Sequence, residues 1–580
     1  MRPRNQSNNS NNEFNPTRLR FWYALILVCF LAIGVKLFYM QVIRHDYYKA
    51  AAYEDQFKQY QIPAERGTIL AHDGDDLVPL VLNQPTYTLF ADPKFIENAD
   101  YTAEKVREQI GGSEKEYAEN MRAKTRYAVL KKRMNEEQKD KIEGLGIKGL
   151  GTRTEPIRTY PQGKLAAQIL GFVNDEGEGT YGIEQYLNEE LMGKDGELKA
   201  ITDAQGVPLV STGSDVLREP ESGKEVALTI DINMQRHIEQ LLKPHLESVR
   251  SPSGSVIVMD PYSGEVKAMA NYPTYNPSKF YEVKDASLFT NPAVSSPLEV
   301  GSIMKTLTMA AGLNEGAVQS NGTYFDPAAI TVDGHTIKNV EEDGGPATRT
   351  IPDILRYSLN TGATYILQQL GGGKINDKAR KTWHDYLVNR YGFGQKTGIE
   401  QGYEGEGNVP SPTEGFGLNL QYANSAFGQG ITVTPLQMIS AYIATINGGT
   451  YYKPQLVEQD TGKSLVVRKN VVKPQVSKEL RKMHENSAEN QYSFITREGY
   501  RIGGKTGTAE IPNPAGGYRT DVYNGTFIGY VGGDKPEYAI IVRVDEPRVD
   551  FYAGTAAAAP LFAKTVDVLI NNFSIRPTGR

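Results

Sequence analysis

The sequence predicts an α+β fold, an antiparallel sheet flanked by helices, carried behind a single N-terminal membrane-spanning helix. Three observations predict it. Helix-like and strand-like runs are mixed along the second half of the chain, adjacent strands are joined by short hairpin turns, and one long apolar run stands near the N-terminus.

The apolar run is Phe21 to Ile43, FWYALILVCFLAIGVKLFYMQVI, close to the roughly 20 residues a spanning helix needs at 1.5 Å rise each. Only Lys36 interrupts it, near the far end, where its long stem can carry the charge to the headgroups. Trp22, Tyr23 and Tyr39 suit the interfacial belts. No small-x-small site follows closely, which argues against a cleaved signal peptide. Arg2, Arg4, Arg18 and Arg20 precede the run, so the positive-inside rule keeps the Asn-rich tail in the cytoplasm and exports the rest.

From about Tyr47 to Gly223 the chain is charged and mixed, with a helical stretch from Ser113 to Lys141 and β-like runs such as Tyr87 to Phe90. It contains no internal repeat and reads as a scaffold. A change comes near Val226. Val226 to Asp231 reads as a strand, Met234 to Leu246 as a helix that Pro244 can kink, and Ser255 to Met259 as a second strand. Asp260 to Gly264 turns into a third strand, Glu265 to Ala270, so the two form a hairpin around DPYSG. Helical periodicity resumes after Ser302 through Leu307, Ala310, Ala311 and Leu313, and strands return at Phe527 to Val531 and Tyr538 to Val544.

Composition narrows the function. At 580 residues the chain should hold two or three folded units. Its 63 basic and 69 acidic side chains leave a net charge of −6 and no basic stripe, which excludes a nucleic-acid binder. Cys29 is the only cysteine and lies in the apolar run, so no disulfide framework or thiolate site can form. The seven histidines, His45, His72, His237, His245, His335, His384 and His484, include no i, i+4 pair. No metal or organic cofactor is expected.

Ser302-Ile303-Met304-Lys305 is the central chemical feature, because it opens an apolar helical run after Val300-Gly301. Residues three apart share a helix face, so the Lys305 amine can reach the Ser302 hydroxyl. A serine hydroxyl is a weak nucleophile until a base takes its proton, and lysine can be that base when burial and a second cation hold it neutral. S-x-x-K arises easily by chance, yet this chain contains it once. Ser358-Leu359-Asn360 follows, at the end of a helical run beginning near Ile351, and brings a hydroxyl and an amide. Ser7-Asn8-Asn9 and Ser10-Asn11-Asn12 match S-x-N too, but belong to the cytoplasmic tail.

The third element is Lys505-Thr506-Gly507-Thr508. Lys396-Thr397-Gly398 also matches K-T-G but sits in a glycine-rich loop, YGFGQKTGIEQG. Gly499 to Thr506 is a literal G-x-x-x-x-G-K-T phosphate loop, which needs a buried strand before it and a helix after it. The upstream residues are polar, and Pro512, Pro514 and Gly516-Gly517 forbid a helix downstream, so no nucleotide is expected.

These three elements, in this order, resemble the active site of penicillin-binding proteins and serine β-lactamases. GSVIVMDPYSGEVKAMANYPTYNP from Gly254, NPAVSSPLEVGSIMK from Asn291 and AFGQGITVTPLQ from Ala426 look like class B penicillin-binding proteins. Arg66-Gly67-Thr68-Ile69 and the run from Arg158 to Gly163, with Gly182, Glu184, Gly193 and Gly196, look like that class's non-catalytic pedestal. VDGHTIKNV from Val332 and GYRIGGKTGTA from Gly499 look most like the division-specific septal transpeptidase, with the elongation-specific relative as the alternative. The family's pattern is broken at Ala71-His72-Asp73-Gly74, at Gln168, where a histidine is common, and at Val300, where proline is usual.

The resemblance implies a cytoplasmic tail at 1–20, an anchor at 21–43, an elongated pedestal of the dimerisation type at 44–225 and a β-lactamase/transpeptidase-like catalytic domain at 226–575. It implies a peptidoglycan D,D-transpeptidase acting on D-Ala-D-Ala stem peptides outside the cell membrane, with β-lactams as covalent inhibitors. Ser302 would be the nucleophile, Lys305 its base, Ser358 the proton relay and Asn360 the group orienting Lys305 and the substrate amide. Lys505, Thr506, Gly507 and Thr508 would hold the substrate carboxylate, and the N–H groups of Ser302 and Thr508 would form the oxyanion hole. A polytopic glycosyltransferase and other division proteins are the implied partners. A carboxypeptidase or β-lactamase would share the acylation residues and let water attack. A drug-sensing receptor or a catalytically dead division protein are further readings.

Overall fold

The computed structural model describes residues 16–49, 57–201, 216–339, 345–459, 464–513 and 516–579; Arg2, Arg4, the rest of the Asn-rich tail and Val340 lie outside them. The chain divides into two units, one from Met1–Ala64 with Lys194–Glu221, the other from Glu65–Gly193 with Ser222–Arg580.

The first unit holds helix α1 (Pro16–Phe38), which runs on through a π-helical turn, Tyr39–Ile43. Phe21, Leu27, Phe30 and Val35 are all exposed along it, as lipid-facing side chains would be, and the helix from Arg20 to Ile43 is long and apolar enough to cross a membrane. The same unit has a three-stranded antiparallel sheet in which Gly196–Ile201 lies between Phe57–Ile62 and Val216–Arg218.

The second unit begins with a mixed sheet. Strands β1 (Ile69–Asp73), β2 (Asp76–Ala91), β3 (Ala128–Met134) and β4 (Leu150–Thr159) are antiparallel, and β5 (Val226–Asp231) adds to β1 in parallel. The helical stretch expected from Ser113 to Lys141 is broken here. It forms two short helices, Glu114–Met121 and Glu136–Glu143, with β3 between them. The long strand β2 supplies a partner edge, pairing Phe90 with Val129 and Ala91 with Ala128, and that tertiary pairing overrides the helix preference of Leu130 to Met134. Asn135 then restarts the helix with a reciprocal cap to Gln138. Leu89, Val106, Tyr117, Met134 and Ile142 pack the small core between these helices and the sheet.

The two arginine motifs of this region meet on one carboxylate. Glu184 is fully buried and accepts from Arg66 Nε at 2.8 Å and Arg158 Nε at 2.6 Å. The atypical positions are also satisfied: His72 Nε2 lies 2.7 Å from Glu458 Oε1, and Gln168 Nε2 donates to Pro273 O at 2.9 Å.

A second sheet follows helix α2 (Ile232–Ser248), which passes through Pro244 as one helix. Its strands are β6 (Ser253–Met259) and β7 (Val266–Tyr272), the expected hairpin, then β8 (Arg501–Pro512), β9 (Tyr518–Gly532) and β10 (Pro536–Asp545). The order is β7-β6-β10-β9-β8, antiparallel throughout. Period-2 alternation sends its side chains into two separate apolar bodies. Val256, Val258, Phe527 and Val542 pack with α2 and with the C-terminal helix Ala559–Asn572. Ile257, Met259, Ile528 and Ile541 face the other way, into the body that contains Ile303, Met304 and Leu307.

Candidate active site

Ser302 lies in a 3-10 turn, Gly301–Ile303, that leads directly into an all-buried helix, Met304–Asn314. Gly301 has φ +60, and a Cβ there would stand 2.5 Å from Thr508 O. Its N–H donates to Gly428 O at 3.1 Å. On the facing strand, a Cβ on Gly507 would meet Val300 O at 2.5 Å, and Thr526 Oγ1, closer still to that Cβ, donates to the same carbonyl at 3.0 Å. Two glycines thus let the serine turn and strand β8 touch through their backbones. Val300 takes an ordinary helical conformation before this turn.

Lys305 has no exposed surface, while Ser302 is partly open. Lys305 Nζ lies 2.9 Å from Ser302 Oγ, 3.1 Å from Ser358 Oγ and 2.7 Å from Asn360 Oδ1, and also reaches Ser358 O. The sequence pattern puts Ser358 to Asn360 at the end of a helix. The helix ends earlier, at Arg356 (Asp353–Arg356), and Asn360 begins the next one, Asn360–Leu370. Between them Ser358 takes φ +58, a conformation non-glycine residues seldom adopt, and this turns its carbonyl and hydroxyl onto Lys305. Asn360 Nδ2 donates to Lys338 O at 3.0 Å, which leaves its Oδ1 for the lysine.

Lys505 and Thr506 are buried in the middle of β8, where Lys505 pairs with Ile528 and Thr506 with Phe527. No helix follows, so the phosphate-loop match is a coincidence of sequence. Lys505 Nζ donates to Thr506 O at 3.1 Å and approaches Thr506 Oγ1 at 3.3 Å; Tyr492 OH is 2.7 Å from that same hydroxyl. Thr508 Oγ1 accepts from Gly554 N–H at 3.0 Å. β8 ends the sheet order, so it has a strand partner on one side only. The other K-T-G is a loop, as expected, whose Thr397 and Gly398 N–H groups hold Glu404 at 2.6 and 3.0 Å.

Two further groups shape the electrostatics. His484 is wholly buried beside β8; burial, aided by the Lys505 charge, pushes its imidazole down to about 4. Glu299, three positions before Ser302, lines a cavity of about 360 Å³ with Glu510 and Arg543. Burial raises its carboxyl and nearby Glu510 adds to this, while hydrogen bonds from Gly430 and Tyr518 oppose it. Among the described residues no group of three or more His, Cys, Asp or Glu is placed to hold a metal ion.

Tyr492, Thr526 and His484 stand in no motif that the sequence singles out. Gly428 and Lys338 lie in segments already singled out, AFGQG and VDGHTIKNV, but their parts as a carbonyl under Gly301 and a carbonyl under Asn360 depend on contacts between distant elements.

A serine with a buried lysine three residues on, at the head of a helix beside an antiparallel sheet, is an arrangement that serine acyl-transfer chemistry can use. Residues 254–567 match the penicillin-binding protein transpeptidase domain, and residues 61–228 the penicillin-binding protein dimerisation domain. Stage V sporulation protein D of Bacillus subtilis is 29% identical over 577 residues, 97% of this chain and 86% of that protein. Peptidoglycan D,D-transpeptidase FtsI of Escherichia coli is 26% identical, across 100% of this chain and 95% of its own length. Penicillin Binding Protein 2X from Streptococcus thermophilus shares the fold with a TM-score of 0.71 at 25% identity, covering 90% of this chain and 83% of that one. The chain belongs to the penicillin-binding protein family, in the class B arrangement of a dimerisation domain followed by a transpeptidase domain.

Proposed function

We propose that the protein is a membrane-anchored peptidoglycan D,D-transpeptidase that cross-links stem peptides through an acyl-enzyme on Ser302. The observation that carries this reading is the 2.9 Å approach of Lys305 Nζ to Ser302 Oγ, next to the last strand of the sheet. With Lys305 neutral, its two N–H bonds serve Ser358 O and Asn360 Oδ1, and its lone pair is left for the serine proton. Ser302 Oγ attacks the carbonyl of the penultimate D-alanine, and the proton passes through Lys305 and the Ser358 hydroxyl to the departing D-alanine amine. The Ser302 and Thr508 N–H groups receive the oxyanion, and Lys505, Thr506 and Thr508 take the terminal carboxylate. An amine of a neighbouring stem peptide then attacks the ester and frees Ser302. A β-lactam acylates the same oxygen.

Membrane topology follows the arginines before the anchor, with the tail cytoplasmic and the catalytic domain outside. The family boundaries support a pedestal at 44–225 and a catalytic domain at 226–575. A septal role is favoured by VDGHTIKNV and GYRIGGKTGTA, with a polytopic glycan polymerase and division proteins as partners. Depletion should give filaments without septa; rounded cells would instead assign it to elongation.

The direct test is covalent labelling. A fluorescent penicillin should mark the wild type and leave Ser302→Ala unmarked; an unmarked wild type, or a marked variant, overturns the assignment. Incubation with a pentapeptide donor and an amine acceptor should yield cross-linked product. Hydrolysis alone would make the protein a carboxypeptidase.

A further inference from the structure

We infer that Asp326 is a positioning residue for acylation, which fixes through Asn339 the amide of Asn360 that faces Lys305; this rests on Ser302 and Lys305 acting as proposed above. Asp326 ends the strand Thr323–Asp326 and has no exposed surface. A carboxylate so placed must be met by donors. Ala328 N–H donates to it at 2.9 Å, the Thr361 hydroxyl at 2.6 Å and Asn339 Nδ2 at 2.9 Å, and Arg349 Nε pairs with it at 3.3 Å.

An ionised carboxylate can only accept, so it dictates which way round the Asn339 amide stands. With Nδ2 committed to Asp326, Asn339 Oδ1 accepts from Thr361 N–H at 3.0 Å. That N–H is one of those a helix leaves without an internal partner at its start, and Leu359, at the cap position of Asn360–Leu370, has no side-chain acceptor to offer. Asn339 therefore caps this helix from another element. The neighbouring pair repeats the logic. Lys338 O, also acceptor-only, takes Asn360 Nδ2 at 3.0 Å and turns Asn360 Oδ1 to Lys305 Nζ at 2.7 Å. Two consecutive residues at the end of one hairpin thus hold two consecutive residues at the head of the helix.

Removing the charge of Asp326 lets the Asn339 amide reverse, sets an NH₂ against Thr361 N–H and frees the helix head from Lys338. Lys305 then loses its oriented acceptor while Ser302 and strand β8 stay in place. The consequence belongs to the chemical step rather than to binding.

The test is stopped-flow acylation of the detergent-solubilised full-length protein by a chromogenic penicillin, resolving the dissociation constant of the non-covalent complex from the acylation rate constant. Asp326→Asn should lower the rate constant roughly 10- to 100-fold, the scale on which misplacement by about 1 Å acts, with the dissociation constant unchanged. The exchange Asp326→Asn with Asn339→Asp restores a carboxylate–amide pair and should recover most of the loss, which a merely structural role would not do. Should Asp326→Asn fold poorly, Asn339→Leu leaves Asp326 its other donors and should show the same selective fall. A wild-type rate constant in either single variant, or an exchange no faster than Asp326→Asn alone, overturns the inference. A wild type that is not acylated at Ser302 overturns the proposed function, and this inference with it.

Discussion

The carbonyl oxygen of Thr508 stands 2.5 Å from where Gly301 would carry a Cβ, so the serine turn and the edge strand are in backbone contact. Gly301→Ala must push that strand away and force alanine to φ +60, a strain of about 1–3 kcal/mol. The expected outcome is a loss of penicillin acylation of at least about tenfold, because misplacing reacting groups is costly. Time courses of fluorescent labelling measure it, with circular dichroism as the control for folding.

Lys305→Met keeps much of the buried volume and removes the proposed base. Acylation is expected to slow by roughly 10²- to 10⁴-fold, the usual worth of a positioned acid–base group. Mass spectrometry of the intact protein over hours reads the residual rate. A variant within a few-fold of wild type would assign proton removal to another group.

Glu184 takes both Arg66 and Arg158 into a site where its own side chain is fully buried. Glu184→Gln leaves two guanidinium groups without their counter-charge, at a cost of about 3–5 kcal/mol. The thermal midpoint should fall, while the labelled fraction below the transition matches wild type. A loss of labelling in folded protein would show that this cluster also supports the site.

His484 sets a pH dependence. Its imidazole protonates near 6.5 in the unfolded chain and near 4 when folded, so the unfolded chain binds the proton first as pH falls. Its contribution is complete above 6.5 and is lost as the pH falls towards 4, up to about 3 kcal/mol. Thermal midpoints should drop between pH 7 and pH 5, and His484→Leu should reduce that drop. An unchanged slope in the variant would exclude His484 as the cause.

Much of the candidate site's geometry was legible because it is local. Ser302 and Lys305 share one helical turn, and Lys505 to Thr508 one strand, so spacing alone carries the geometry. The hairpin around Asp260 was equally readable, since its turn closes on its own side chain: Asp260 Oδ1 accepts from Tyr262 N–H at 2.6 Å. What escaped were features decided by partners far along the chain. Leu130 to Met134 read as helix until β2 offered an edge, and Ser358 read as a helix end rather than a left-handed break. Asp326 gave no signal because its partners Asn339, Arg349 and Thr361 come together only once the hairpin has folded over the helix head.

The catalytic sheet also divides the molecule's tolerance for change. Behind it Phe527 and Phe562 lie 4.3 Å apart, centroid to centroid, in an apolar body that shares no side chain with the one around Ile303 and Met304. Between the two stands one layer of peptide groups, each strand held by its neighbours' hydrogen bonds. Size changes at the rear can be taken up by side chains there before any strand has to move. Sequence drift can rewrite one side of this wall while the other stays bound to the geometry around Ser302 and Lys305.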